Sequence, residues 1–181
     1  MESKKLRVLA VSGMLAAVGY ALQLFEFPLL PAASFLKFDF GDVAVALAGW
    51  AMGPAAAGLT ALVKGILWGV IGHGTDGWVG AGMNTITVLA FALPFAFFRQ
   101  EKRPWRLVLA VALGIVCMTA VMAGVNLAVD PWYVKMPFAA VRALVVSAII
   151  PFNLLRGLIN GVTAAVVALA AGRASLFHHD A

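Results

Sequence analysis

A chain of 181 residues with 63% hydrophobic and 12% charged residues lies far from soluble domains, which carry roughly 45–50% apolar and about 25% charged residues. A mean hydropathy of +0.98, concentrated in runs of membrane-span length, excludes a soluble domain and implies an all-α integral membrane protein. The formal net charge of +5 is then an orientation signal flanking the spans, not a nucleic-acid footprint.

The first predicted helix, 8–25, follows Lys4, Lys5 and Arg7 and lacks a convincing small-residue cleavage site, so it reads as a retained span. Gly13, Ala17 and Ala21 recur along it every four residues. Such a stripe lets another helix approach closely, and packing inside the chain explains it as well as a partner does.

FLKFDFGD at 35–42 comes next. Its alternation is strand-like, with Lys37 and Asp39 on one side and Leu36, Phe38 and Phe40 on the other. Two readings are open for it: a solvated connector with interfacial aromatics, or a loop that folds over a ligand.

The apolar run 43–71 is too long for one ordinary span and short for two. Gly53-Pro54 at its middle is a helix break, because proline disfavours helix in the residue before it. Charge decides the number of crossings. If the run crosses twice, Arg99, Lys102, Arg103, Arg106 and Arg173 share the cytoplasmic side with Lys4, Lys5 and Arg7. Glu26, Asp39, Asp42, Asp76 and Asp130 then lie outside. The expectation is six transmembrane helices, 8–25, 40–52, 55–71, 79–98, 107–129 and 148–171, with both termini cytoplasmic. They form a single membrane domain over 1–181, without internal repeats. The second helix is short, which neighbours or the preceding loop can accommodate.

Ionisable and amide side chains inside spans are expensive and mark functional sites. The spans contain Lys64, Asn84, Asn126, Asn153, Arg156 and Asn160. At ~1.5 Å per residue the predicted boundaries place Lys64, Asn84, Asn126, Asn153 and Arg156 within roughly 5–12 Å of the outer surface, in one layer. Asn153, Arg156 and Asn160 step by three and four, so they share one helix face. Interhelical hydrogen bonding accounts for a single asparagine. Several at one depth, beside a charged face, point to a pocket open to the outside. An asparagine amide both donates and accepts, which suits a neutral heteroaromatic ring or a polyol.

Other motifs fall away. GPAAAGLT at 53–60 lacks the phosphate-loop lysine, and GAGMNT at 80–85 lacks the third glycine of a dinucleotide fingerprint. His73, His178 and His179 stand without ligands at metal spacing, so no metal site is expected. No nucleophile-base-acid set or carboxylate pair lies within the spans, which disfavours an enzyme. Cys117 is read as a packing residue.

FLKFDFGD, the apolar run with its Gly-Pro break, ALVKG at 61–65, the isolated Asn126 and IIPFNLLRG at 149–157 together resemble a known family. They are similar to the substrate-binding S components of energy-coupling factor (ECF) vitamin transporters, and most closely to the riboflavin-specific branch. The resemblance runs from the first helix to the last. It implies a lid loop between helices 1 and 2 that closes the pocket from outside. Riboflavin would then lie between that lid and the outer halves of helices 4 to 6. Asn126 and Asn153 match asparagines that hold the flavin ring, and Arg156 stands where these members usually carry lysine. Lys37, Phe38, Asn84, Lys64 and Asn160 complete the candidate site. Lys37 is expected to steady the lid through Asp39 or Asp42. The Gly13, Ala17, Ala21 stripe resembles an alanine motif that docks on an energising module, made of a transmembrane coupling subunit and two ATP-binding subunits.

Two further departures from the family pattern are Ala81, where relatives often carry glutamate, and Gly65, where asparagine is common. The expected partners are riboflavin as transported ligand, the module and membrane lipid, with no cofactor and no nucleic acid. The expected location is a prokaryotic plasma membrane, crossed several times. Another vitamin or precursor such as pantothenate, a small membrane enzyme and a structural membrane protein are the alternatives.

Overall fold

In a bilayer only the chain itself can satisfy its backbone N–H and C=O groups, so long apolar runs fold as helices. The computed structural model describes residues 2–72 and 77–174; His73, Asp76, His178 and His179 lie outside them. Its helices are α1 (Glu2–Gln23), α2 (Gly41–Met52), α3 (Pro54–Ile71), α4 (Gly77–Phe97), α5 (Pro104–Tyr133) and α6 (Phe138–Arg173). All but α2 are long and apolar enough to cross a membrane. α2 has 12 residues, about 18 Å at ~1.5 Å per residue, against a hydrocarbon core of about 30 Å.

The run 43–71 is a helical hairpin. Asp42 meets Lys64, and Gly49 packs at Ala57; the partner number falls as the position rises, so α2 and α3 are antiparallel. Gly53 makes the reversal at φ +98°, a backbone region that L side chains avoid. Pro54 then starts α3 at the position where its missing N–H costs nothing.

Between α1 and α2 the chain forms an antiparallel pair, β1 (Phe27–Pro28) and β2 (Lys37–Phe38), with Phe27 opposite Phe38. Phe38 is buried and packs edge-on against Phe27 and Phe40, with ring centroids 5.4 and 4.9 Å away. The alternation in FLKFDFGD is thus that of a short strand, and this hairpin, called the lid below, bridges α1 and α2.

Two helices are longer than their hydropathy suggests. α5 starts at Pro104 and ends at Tyr133 instead of spanning 107–129. Asp130-Pro131 resembles a stop, but a proline near the end of a helix removes only one ladder bond, and the last turn closes through Val134 N–H to the Asp130 carbonyl at 2.9 Å. α6 begins at Phe138, ten residues before the expected 148, because Arg142 and Ser147 dilute the hydropathy of a segment that is nonetheless helical. Its third turn widens over Val145–Ile149 into a π-helical turn, in which the Ile150 N–H reaches back to the Val145 carbonyl. Pro151 supplies the reason: it offers no N–H to the Ser147 carbonyl, and its ring crowds that oxygen in a regular α-turn.

The core is built from inward faces of α2, α4, α5 and α6, around Trp50, Phe91, Phe95, Leu107 and Met118. Gly157 and Gly161 let α6 sit directly on Ile115, Met118 and Val111 of α5. At the C-terminal end of α2 the α4–α5 connection is tied down: Gln100 N–H donates to the Trp50 carbonyl at 2.8 Å, and the Trp50 indole to the Glu101 carbonyl at 3.1 Å. The Arg103 N–H and the Arg106 guanidinium hold the Glu101 carboxyl below the usual carboxylate range. Gly172, near the end of α6, lies beside Lys102 and Trp50. Both described chain ends and the basic connection therefore occupy the end of the bundle opposite the lid.

Candidate ligand-binding site

Beneath the lid lies a cavity of about 590 Å³, within the roughly 300–1,000 Å³ typical of small-molecule sites. Its walls come from the end of α1, the lid and α3 to α6. Aromatic and thioether surface is supplied by Phe35, Trp68, Met83, Met122, Tyr133 and Phe152. Polar groups converge at a few points only.

Of the residues expected at the site, Lys37, Asn84, Asn126, Asn153 and Arg156 line this cavity. Asn126 donates to the Met122 carbonyl at 2.7 Å, and Asn153 to the Ile149 carbonyl at 2.8 Å. Each amide is thereby fixed against its own helix one turn back, which sets its orientation before any ligand arrives. For Asn153 the acceptor belongs to the last residue of the π-helical turn, so the Pro151 irregularity sits directly under the cavity wall.

Lys64, Asn160 and Phe38 do not line the cavity. Lys64 and Asn160 are almost wholly buried, at 1% and 0% exposure, and lie in a charge cluster below it. Arg156 is its hub. Its Nε donates to Asp42 Oδ2 at 2.8 Å, and its Nη2 to Asp42 Oδ1 at 2.9 Å and to Asn84 Oδ1 at 2.8 Å. Nη2 also lies 3.4 Å from Asp39 Oδ2. Lys64 Nζ is 3.4 Å from Asp42 and 3.7 Å from Asp39. Asn160 donates to the Asp39 carbonyl at 3.1 Å, and Asp39 Oδ1 accepts the Gly41 N–H at 2.7 Å. Two carboxylates and two cations thus neutralise one another where isolated charge would be very costly.

The expected ion pair between Lys37 and Asp39 or Asp42 does not form. Lys37 is exposed on β2, whereas both carboxylates turn inward to cations on α3 and α6, which the low-dielectric interior needs more. The lid is anchored all the same, through its acids. Arginine at 156 suits this role: a planar fork grips Asp42 at two points and still reaches Asn84, which a lysine ammonium could not do with the same geometry. Gly65 also has a packing reason, since a Cβ there would collide with the Thr85 hydroxyl of α4.

Sequence reasoning did not single out Gln23, Asp130, Trp68 or Phe152 as cavity residues, nor Asp39 and Asp42 as the partners of Lys64 and Arg156. A signal for the last existed. Two cations within spans demand two anions at the same depth, and Asp39 and Asp42 are the outer-side acids that begin a helix.

On α1, Ser12, Ala16, Gly19 and Gln23 face the bundle, while Gly13, Ala17 and Ala21 are exposed. A Cβ on Gly13 would meet nothing within 4 Å. The stripe therefore does not serve packing within this chain.

A family model described as "ECF transporter, substrate-specific component" matches residues 7–168. The chain belongs to this family. It is a transporter component and not an enzyme, and a multi-pass membrane protein. The riboflavin transporter FmnP of Bacillus subtilis (strain 168) is 31% identical over 164 residues, covering 86% of each chain. The riboflavin transporter RibU of Streptococcus thermophilus is 30% identical over 170 residues, 89% of this S component and 81% of that protein. A solved chain described under "Structure and mechanism of the S component of a bacterial ECF transporter" superposes with a TM-score of 0.76 at 26% identity, covering 97% of this chain and 99% of that one.

Proposed function

We propose that this S component captures riboflavin at the outer face of the plasma membrane and delivers it inward with an ATP-hydrolysing module. The observation that carries the reading is the placement of two pre-oriented amides, Asn126 on α5 and Asn153 on α6, in the wall of a cavity with aromatic and thioether surface. A flavin ring has a heteroatom edge that both donates and accepts, which amides match, and a flat face for aromatic and methionine surface. The relatives named as riboflavin transporters favour this ligand over another vitamin.

The lid end faces outward and both termini face the cytoplasm. What supports this is charge: Lys4, Lys5, Arg7, Arg99, Lys102, Arg103, Arg106 and Arg173 gather at the end away from the lid. The sequence carries no phosphate-loop motif, so the energy comes from partners: a transmembrane coupling subunit and two ATP-binding subunits. The exposed Gly13, Ala17, Ala21 stripe, flanked by the exposed Met14 and Val18, offers a helix-docking face within the membrane.

Protein purified in detergent without added ligand should carry a flavin absorption spectrum, which disappears after unfolding and dialysis and returns on adding riboflavin. A colourless protein that takes up no flavin would refute the reading.

A further inference from the structure

Among the described residues, five charged ones line the cavity: Glu26, Lys37, Asp39, Asp130 and Arg156. Asp39 and Arg156 are consumed in the neutral cluster with Asp42 and Lys64. The other three described charges at the wall, Glu26, Lys37 and Asp130, sum to one negative charge. Asp130 stands apart from the others. It is 8% exposed, and among the described residues no cation or donor pairs with its carboxylate. Gln23, at the end of α1, is 3% exposed, and its buried Oε1 likewise has no hydrogen-bond partner among the described residues. Buried acceptors are satisfied in folded proteins as a rule, and an orphan costs free energy until something donates to it. Here one orphan acceptor, Gln23 Oε1, and one unpaired carboxylate, that of Asp130, border the same cavity.

We infer that Asp130 and Gln23 are specificity-determining residues: they take hydrogen bonds from the hydroxyls of an uncharged, donor-rich ligand and turn away its phosphate ester. A phosphate monoester carries about −1.5 to −2 charges at neutral pH and only acceptor oxygens around them. It replaces one hydroxyl donor with acceptor oxygens and adds like charge beside Asp130 in a low-dielectric space. A polyol chain does the reverse, since each hydroxyl can donate. This inference rests on the riboflavin reading, which it extends to the choice between riboflavin and riboflavin 5′-phosphate.

The test is the dissociation constant of each of these two flavins, measured by fluorescence quenching on the full purified chain. The wild-type protein should prefer riboflavin by at least about tenfold. Asp130→Asn removes the charge and should shrink that preference at least about fivefold, whereas Lys37→Gln removes the opposing charge and should widen it. Gln23→Glu adds a carboxylate on the α1 side and should also widen it, which decides the matter independently where D130N does not fold. A preference unchanged in both Asp130→Asn and Gln23→Glu, with riboflavin still bound, overturns the inference. So does a wild-type protein that binds both flavins equally, a result that leaves the riboflavin reading standing. A wild-type protein that binds neither flavin overturns both.

Discussion

Arg156, deep in α6, grips Asp42 at the start of α2 with two hydrogen bonds, at 2.8 and 2.9 Å, although 114 residues separate them. The same guanidinium donates to Asn84 on α4, and Asp39 at the lid's end lies within its reach. One side chain thus joins the base of the lid to the helix that presents Asn153 to the cavity.

Removing one member of this cluster strands a buried charge. Arg156→Met should cost about 3–5 kcal/mol of stability, read as a lowered midpoint of thermal unfolding in detergent. Arg156→Lys keeps the charge but loses the fork, and should cost about 1.5–3 kcal/mol, the range for hydrogen bonds to charged groups. Pairing Arg156→Met with Asp42→Asn should cost clearly less than the sum of the single changes. Additive losses would show that the two side chains do not depend on one another.

Asn153 is expected to meet the ring edge with the donor and acceptor capacity its helix leaves over. Asn153→Leu would leave a ligand group unpaired and weaken riboflavin binding by about 1–3 kcal/mol, or roughly one to two decades in Kd. An unchanged Kd in a folded variant would reduce Asn153 to a brace of its own helix.

The hairpin at Gly53 and the charge distribution predict opposite membrane sides for the lid and the α4–α5 connection. A cysteine at Ser34, exposed in the lid, should react with an impermeant thiol reagent from outside the cell. One at Gln100 should react only after the membrane is opened. A Cys117→Ala background removes the native thiol, which is exposed on α5. Labelling of both sites from the same side would contradict the two-crossing hairpin.

The α1 stripe separates binding from transport. Replacing Ala17 and Ala21 by tryptophan blocks close helix approach by bulk alone. Riboflavin binding by the isolated subunit should persist, while uptake by cells that carry the energising module should collapse. Normal uptake in the double variant would make the stripe a lipid-facing surface only.

Much of this arrangement was legible in the chain because it depends on local features. Gly53-Pro54 announces the break between α2 and α3, the Phe-Lys-Phe-Asp alternation announces a strand, and Asn126 and Asn153 stand out against apolar neighbours. Features that depend on distant residues were not legible. Nothing near Lys64 or Arg156 in sequence says that Asp42 will meet both, and Lys37 is the nearer partner for Asp39 and Asp42 by position alone. The early start of α6 was hidden because Arg142 and Ser147 lower the hydropathy of a helical segment. Asp130 was passed over because the apolar run of α5 ends at 129, which put the acid just outside the span.

Calorimetric titration of the purified, flavin-free protein with riboflavin, with pantothenate as the comparison ligand, addresses the central claim most directly. The account predicts saturation at one riboflavin per chain, quenched tryptophan emission from Trp68 at the cavity wall, and no heat from pantothenate. Saturable binding of pantothenate with none of riboflavin would contradict it.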